Sequence, residues 1–150
     1  MLEPQTDRSF LDLYAGSGAV GLEAASRGAK PVVFVEKSPK LIGVIRENVF
    51  LCGCSEQSRI IHNDAASALR ALCEQSCRFD VVFADPPYCR GFIGEALKAM
   101  QSCPVMEKGG TLVLQHSMRE PLPMLPGRWR VENRRKYGEN LLTFIRMDGE

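Results

Sequence analysis

Asp85-Pro86-Pro87-Tyr88 brings a carboxylate, two rigid imino acids and an aromatic ring into four consecutive positions. Each proline locks φ and removes a backbone donor, so neighbouring carbonyls are free to face a cavity. The set suits chemistry on a planar amine, a poor nucleophile because its lone pair is delocalised into the ring. Hydrogen bonds from its N–H groups to the Asp85 carboxylate and the Pro86 carbonyl would aim the nitrogen at an electrophile and favour its pyramidal form. Tyr88 would stack on the ring, a contact worth ~1–3 kcal/mol in nucleic-acid sites. The plain alternative is a proline turn with a surface tyrosine.

A second cluster stands near the start of the chain. Ala15-Gly16-Ser17-Gly18-Ala19-Val20-Gly21 carries G-x-G-x-x-G after an apolar run and before a helix-period segment, the context such a turn requires. A turn of this kind serves dinucleotides and also S-adenosylmethionine (SAM). Asp12 lies inside the preceding apolar run, where a bare carboxylate is costly. It would repel a pyrophosphate but attract the ammonium of a methionine moiety. Glu36, followed by Lys37, closes the next apolar run twenty residues after Gly16, where a carboxylate can accept from ribose hydroxyls. Asp64 and Ala65 close a third run. There the carboxylate can meet an adenine amine and the Ala65 N–H a ring nitrogen, or Asp64 can cap a helix starting at Ala66. With Asp85 to Tyr88 as the acceptor site, the expected cofactor is SAM. For an NAD-dependent oxidoreductase only the glycine turn and Glu36 speak.

These positions need elements to hold them. Buried strands are expected over 9–15, 31–36, 59–64, 79–85 and 111–117, the last entered through a Gly109-Gly110 turn. Helices are expected between them: 18–27 with Val20, Ala24 and Ala25 inward, one from Pro39 to near Gly53 with a Leu41, Val44, Ile45, Val49 stripe, 66–74 and 92–100. Such alternation implies a doubly wound, mostly parallel α/β sheet, and ligands then sit at the strands' carboxyl ends. Two last strand-like runs, 129–137 and 140–147, read as an antiparallel hairpin, giving seven strands in all.

The 150 residues, 45% hydrophobic and 25% charged, describe an ordinary globular domain spanning 1–150. No apolar run reaches the ~20 residues of a membrane span, and the first residues lack a signal peptide's pattern, so a cytoplasmic location is expected. The six cysteines contain no C-x-x-C pair and the two histidines stand alone. Reduced, mostly buried thiols and no metal are expected. Net charge is +1, yet Arg128, Arg130, Arg134, Arg135 and Lys136 cluster in one run, suited to RNA phosphates or to a solvated strand edge.

The segments "FLDLYAGSGAVGLEAASRGA", "VVFVEKS", "IRENV", "FDVVFADPPY" and "KYGENLLTF" resemble the bacterial RsmD family of class I SAM-dependent methyltransferases. The likeness runs from about Phe10 to Arg146. It implies a Rossmann-like sheet and methylation of the exocyclic amine of a guanine in 16S ribosomal RNA, free or in the assembling small subunit. It puts the glycine turn and Asp12 at the methionine end of the cofactor, Glu36 at the ribose and Asp64 with Ala65 at the adenine. Asp85 to Tyr88 then face the target base. Residues 1–8 stand where that family carries a longer basic segment. The D/N-P-P-Y turn also occurs in DNA adenine and protein glutamine methyltransferases, and a non-catalytic SAM- or RNA-binding module is a further alternative.

Overall fold

The computed structural model describes residues 4–88, 91–125 and 127–148. Strands and helices alternate as β1 (Phe10–Leu13), α1 (Ala19–Ser26), β2 (Val32–Glu36), α2 (Pro39–Leu51), β3 (Ser58–His62), α3 (Ala65–Glu74), β4 (Phe79–Ala84), α4 (Phe92–Ser102) and β5 (Met106–Ser117). The hairpin follows as β6 (Trp129–Tyr137) and β7 (Asn140–Met147). All seven strands form one sheet in the order β3-β2-β1-β4-β5-β7-β6. β1 to β5 pair in parallel; β7 inserts antiparallel between β5 and β6. The expected doubly wound sheet with its antiparallel C-terminal hairpin is borne out.

Strand alternation divides the core in two. Leu11, Leu13, Val33, Val35, Val82, Leu112 and Leu114 pack with Leu69 and Leu72 of α3 and Leu97 and Met100 of α4. On the other face Phe10, Val32, Phe34, Val81 and Phe83 pack with Ala24 and Ala25 of α1 and Ile45 and Val49 of α2. Burying each large side chain is worth ~1.5–3 kcal/mol. Because successive β strands wind outward in opposite directions from β1 and β4, a crevice opens where the two halves part.

Several local expectations are corrected. In α1, Val20 is only half-buried and Gly21 takes the inward position, since a Cβ there would run into the Phe34 ring. In α2 the buried stripe is Ile42, Ile45 and Val49; Leu41 and Val44 lie on its margin. α3 starts at Ala65, one residue earlier than expected. Gly109-Gly110 is not a turn before the fifth strand but a bulge within it. Phe79 pairs with Met106 and Val81 with Thr111, so the chain between Met106 and Thr111 arches out. Gly109 sits at φ +73° in that arch, and a Cβ on Gly110 would stand 2.8 Å from the Glu107 carbonyl oxygen. The five described cysteines are free thiols, but only Cys54 is buried and Cys52 is exposed, because Cys52 follows the end of α2 on its solvent side. Cys89 lies outside the described residues.

Candidate active site at the sheet switch point

A cavity of about 310 Å³ opens at the carboxyl ends of the strands, lined by Tyr14, Glu36, Lys37, Asp64, Ala65, Asp85, Pro87, Phe92 and Glu95 among others. Glu36, Lys37, Asp64, Ala65 and Asp85, all expected site residues, therefore share one cavity with Pro87. Tyr14, Phe92 and Glu95 were not expected. They become neighbours only because β1 and β4 are adjacent and α4 packs beside α3.

The glycine turn borders this space. A Cβ on Gly16 (φ +60°) would meet nothing within 4 Å, so the backbone there is open to a ligand, and Gly18 adopts φ +84°. Tyr14, immediately before the turn, also has positive φ, +63°, a conformation side-chain-bearing residues rarely adopt and which clusters at functional sites. Glu36 braces the turn from β2: Oε1 accepts from the Gly16 N–H at 2.8 Å, and Oε2 accepts from Lys37 N–H (3.0 Å) and Ser38 N–H (2.9 Å). An ionised carboxylate offers about four acceptor positions. Three are taken by backbone N–H groups, so Glu36 ties β2 to the glycine turn while it lines the cavity.

Asp12 is 1% exposed, and its Oδ2 accepts from the Gly21 N–H at 2.9 Å. Gly18 caps α1 with no side chain, so Asp12 caps the helix from the preceding strand. Burial pushes its carboxyl up to about 7; the Gly21 N–H opposes this, and the Asp85 and Glu36 carboxylates add to it. Asp12 does not line the cavity. Ala15 donates its N–H to the Val35 carbonyl, and the Ser17 carbonyl accepts from Asn48. Both belong to the wall that joins β1 to β2 and α2.

Asp64 caps α3, accepting from the Ser67 N–H at 2.8 Å and the Ser67 hydroxyl at 2.9 Å, which together hold its carboxyl below the ordinary range. The capping role is thus present, and Asp64 also faces the cavity. Asp85 differs from Glu36, Asp12 and Asp64: its carboxylate has no hydrogen-bond partner among the described residues, and desolvation raises its carboxyl above the ordinary value. It stands in the cavity mouth with its accepting capacity unused. Pro86 is buried behind it and Tyr88 is 55% exposed, its hydroxyl 3.5 Å from the Ser117 Oγ at the end of β5. Tyr14, the other phenol near the cavity, is pushed up to about 12 by burial and by the Glu95 and Asp64 carboxylates.

The basic run does not form a single face. After a bulge at Glu132, Arg135 pairs laterally with Leu142 on one face of the sheet, and Arg134 and Lys136 pair with Thr143 and Leu141 on the other. Arg130 is held by Asp148 at 3.0 Å, and the Arg135 guanidinium lies 5.5 Å over the Phe144 ring. β6 is an edge strand, so side chains on both its faces remain accessible to a bound chain. Among the described residues no helix is long and apolar enough to cross a membrane, and no group of three potential ligands could hold a metal ion.

A Rossmann-like sheet with β7 inserted antiparallel, a glycine turn after β1 and an acidic end to β2 places the molecule in the methyltransferase fold class, with Asp85-Pro86-Pro87-Tyr88 directly after β4. Within it, the chain belongs to the family described as Conserved hypothetical protein 95, whose model matches residues 1–146, and the resemblance to the RsmD family is borne out. It is 31% identical over 128 residues to the YlbH protein of Bacillus subtilis, covering 85% of this chain and 70% of that protein. To the ribosomal RNA small subunit methyltransferase D of Escherichia coli it is 26% identical over 133 residues, covering 89% and 65%. The chain thus spans about two thirds of the length of these relatives. The structure of an RNA methyltransferase from Salinibacter ruber in complex with S-adenosyl-L-homocysteine matches with TM-score 0.75 over 98% of this chain and 85% of that one, at 18% identity, a likeness of fold.

Proposed function

We propose that the chain transfers a methyl group from SAM to the exocyclic N2 amine of a guanine in 16S ribosomal RNA, in the cytoplasm, on free RNA or on the assembling small subunit. One observation carries the proposal: the unpartnered Asp85 carboxylate opens into the same cavity as Glu36, Asp64 and Ala65. Two features support SAM over a dinucleotide. The lining includes Glu36, Asp64, Asp85 and Glu95 against the single cation Lys37, an environment that favours a sulfonium and an ammonium and repels a pyrophosphate. The open backbone beside Gly16 adjoins that acidic wall.

In this reading Asp64 and Ala65 meet the adenine, Glu36 accepts from the ribose, and Lys37 closes the same side. Ala15 to Gly18 flank the methionine end, and Asp12 acts there through the helix it caps. When bound, the sulfonium supplies an electrophilic methyl carbon and a neutral thioether leaving group. Asp85 and the Pro86 carbonyl hold the amine N–H groups, the prolines fix that pair in place, and Tyr88 stacks on the base. As the nitrogen bonds to carbon, its surplus proton passes to Asp85 and on to solvent at the mouth. No covalent enzyme intermediate is required, and positioning supplies the acceleration. The target base must leave its stack to reach the site, and the cations of β6 hold nearby phosphates. The name of the Escherichia coli relative and the family resemblance support small-subunit rRNA as the acceptor.

The test is mass mapping of 16S RNA incubated with the chain and SAM, beside DNA and protein acceptors. Methylguanosine at one position is expected, and methylation of DNA adenine or protein glutamine alone would overturn the acceptor assignment. Asp85→Ala should bind SAM as the wild type does by calorimetry and lose at least ~10²-fold in methyl transfer. Turnover near the wild-type rate would remove Asp85 from the mechanism.

A further inference from the structure

The antiparallel insertion of β7 brings the β6–β7 turn to the carboxyl end of the sheet, beside the acceptor motif. Ser117, the last residue of β5, pairs with Asn140, and Asn140 pairs with Tyr137. These three residues form one lateral row on one face of the sheet. Strands lie ~4.8 Å apart, so the Tyr137 backbone stands ~10 Å from that of Ser117. Ser117 is also the residue whose hydroxyl reaches Tyr88 at 3.5 Å. The row therefore leads from the acceptor aromatic to a second aromatic at the hairpin tip.

Tyr137 is 53% exposed, nearly as open as Tyr88, and its side chain has no hydrogen-bond or ring partner among the described residues. Its neighbours are those a single-stranded nucleic acid uses. Arg135 lies two residues back on the same face, and Lys136, on the opposite face of this edge strand, has no ion-pair partner among the described residues. Arg119 adjoins Ser117 and carries an exposed ion pair with Glu139 that a phosphate can displace. The turn itself is tied to the β5 end by the Met118 N–H donating to the Glu139 carbonyl at 2.8 Å. Aromatic faces alternating with cations form a stacking platform that tolerates any base.

We infer that Tyr137 is a second base-stacking position, holding a nucleotide that flanks the target while Tyr88 receives the target itself. The inference rests on the RNA-methylation reading above. It assigns the hairpin tip to substrate grip and leaves Asp85 with the chemistry.

The test uses the full chain, SAM and a 16S RNA fragment that the wild type methylates, with RNA affinity by fluorescence anisotropy and steady-state kinetics. Tyr137→Ala and Tyr137→Leu should raise Kd and KM for RNA roughly 5- to 150-fold, the range of one lost base stack. Saturated kcat and SAM affinity should stay within about twofold. Tyr137→Phe, which keeps the ring, should behave as wild type. The slope of log K against log salt should be unchanged in all three, because no charge is lost. Wild-type KM in both Tyr137→Ala and Tyr137→Leu overturns the inference, as does a Tyr137→Phe variant as weak as Tyr137→Ala. If the wild type methylates RNA and either of these overturning results appears, only the stacking role falls. A wild type that neither binds nor methylates RNA removes both readings.

Discussion

Replacing Asp12 with Asn tests the physics of the glycine turn. The carboxyl is 1% exposed and raised from 3.8 to about 7, burial being the first cause. Because the folded value lies above the unfolded one, the folded chain binds the extra proton between them, and stability falls as pH rises through that window. Below pH 4 the group is protonated in both states and costs nothing; above pH 7 it is ionised in both and the full cost is present. The interval corresponds to ~4 kcal/mol. Asn keeps an acceptor for the Gly21 N–H, now 2.9 Å from Oδ2, and cannot ionise. The stability of Asp12→Asn minus that of wild type should therefore climb by ~4 kcal/mol from pH 4 to pH 8, read by urea unfolding at half-unit steps. The slope carries the test, since the buried amide adds a constant offset. SAM supplies a cation near the same turn, so the wild type should gain affinity for it as pH rises towards 7, and the variant should not. A difference curve flat across the window would refute both the charge and the burial argument.

Asp85→Ala should lower kcat by at least ~10²-fold, as expected for loss of a positioned partner of the reacting nitrogen, with calorimetric SAM binding unchanged. Gly21→Ala should destabilise by ~1–3 kcal/mol in thermal unfolding despite alanine's better helix propensity, because its Cβ would collide with the fully buried Phe34 ring. Arg134→Ala and Lys136→Ala should each reduce the salt slope of RNA binding by ~0.7, whereas Arg130→Ala, already paired with Asp148, should change it less. For Tyr137→Ala the expected signature is the reverse, weaker RNA binding at constant slope.

What could be read from the sequence followed the periods of the two regular structures. Alternating strand and helix patterns, Ser38-Pro39 at the head of α2 and the twin prolines after β4 each carry a local cause, and the topology follows from them. The placement of Asp85-Pro86-Pro87-Tyr88 and of the acidic strand ends was legible for the same reason, each being adjacent in sequence to the strand that presents it. The remainder is tertiary. Gly21 faces inward because of the Phe34 ring from another strand, and Asp12 finds its partner nine residues away across a turn. Glu36 spends three acceptor positions on backbone whose direction no pattern reveals. The arch before Thr111 depends on register against β4, and Tyr14 enters the cavity through a backbone conformation unusual for its type.

The place of β7 inside the sheet separates the supports of the two sides of the cavity. Gly16, Glu36, Asp64 and Ala65 stand at or just after the ends of β1, β2 and β3, and Asp85 follows β4. The strand end beside Tyr88 is held instead by the hairpin: Asn140 pairs with Ser117, and Thr143 meets His116 at 2.7 Å. A change in β7 therefore reaches Tyr88 through β5 and leaves the ends of β1 and β2 untouched.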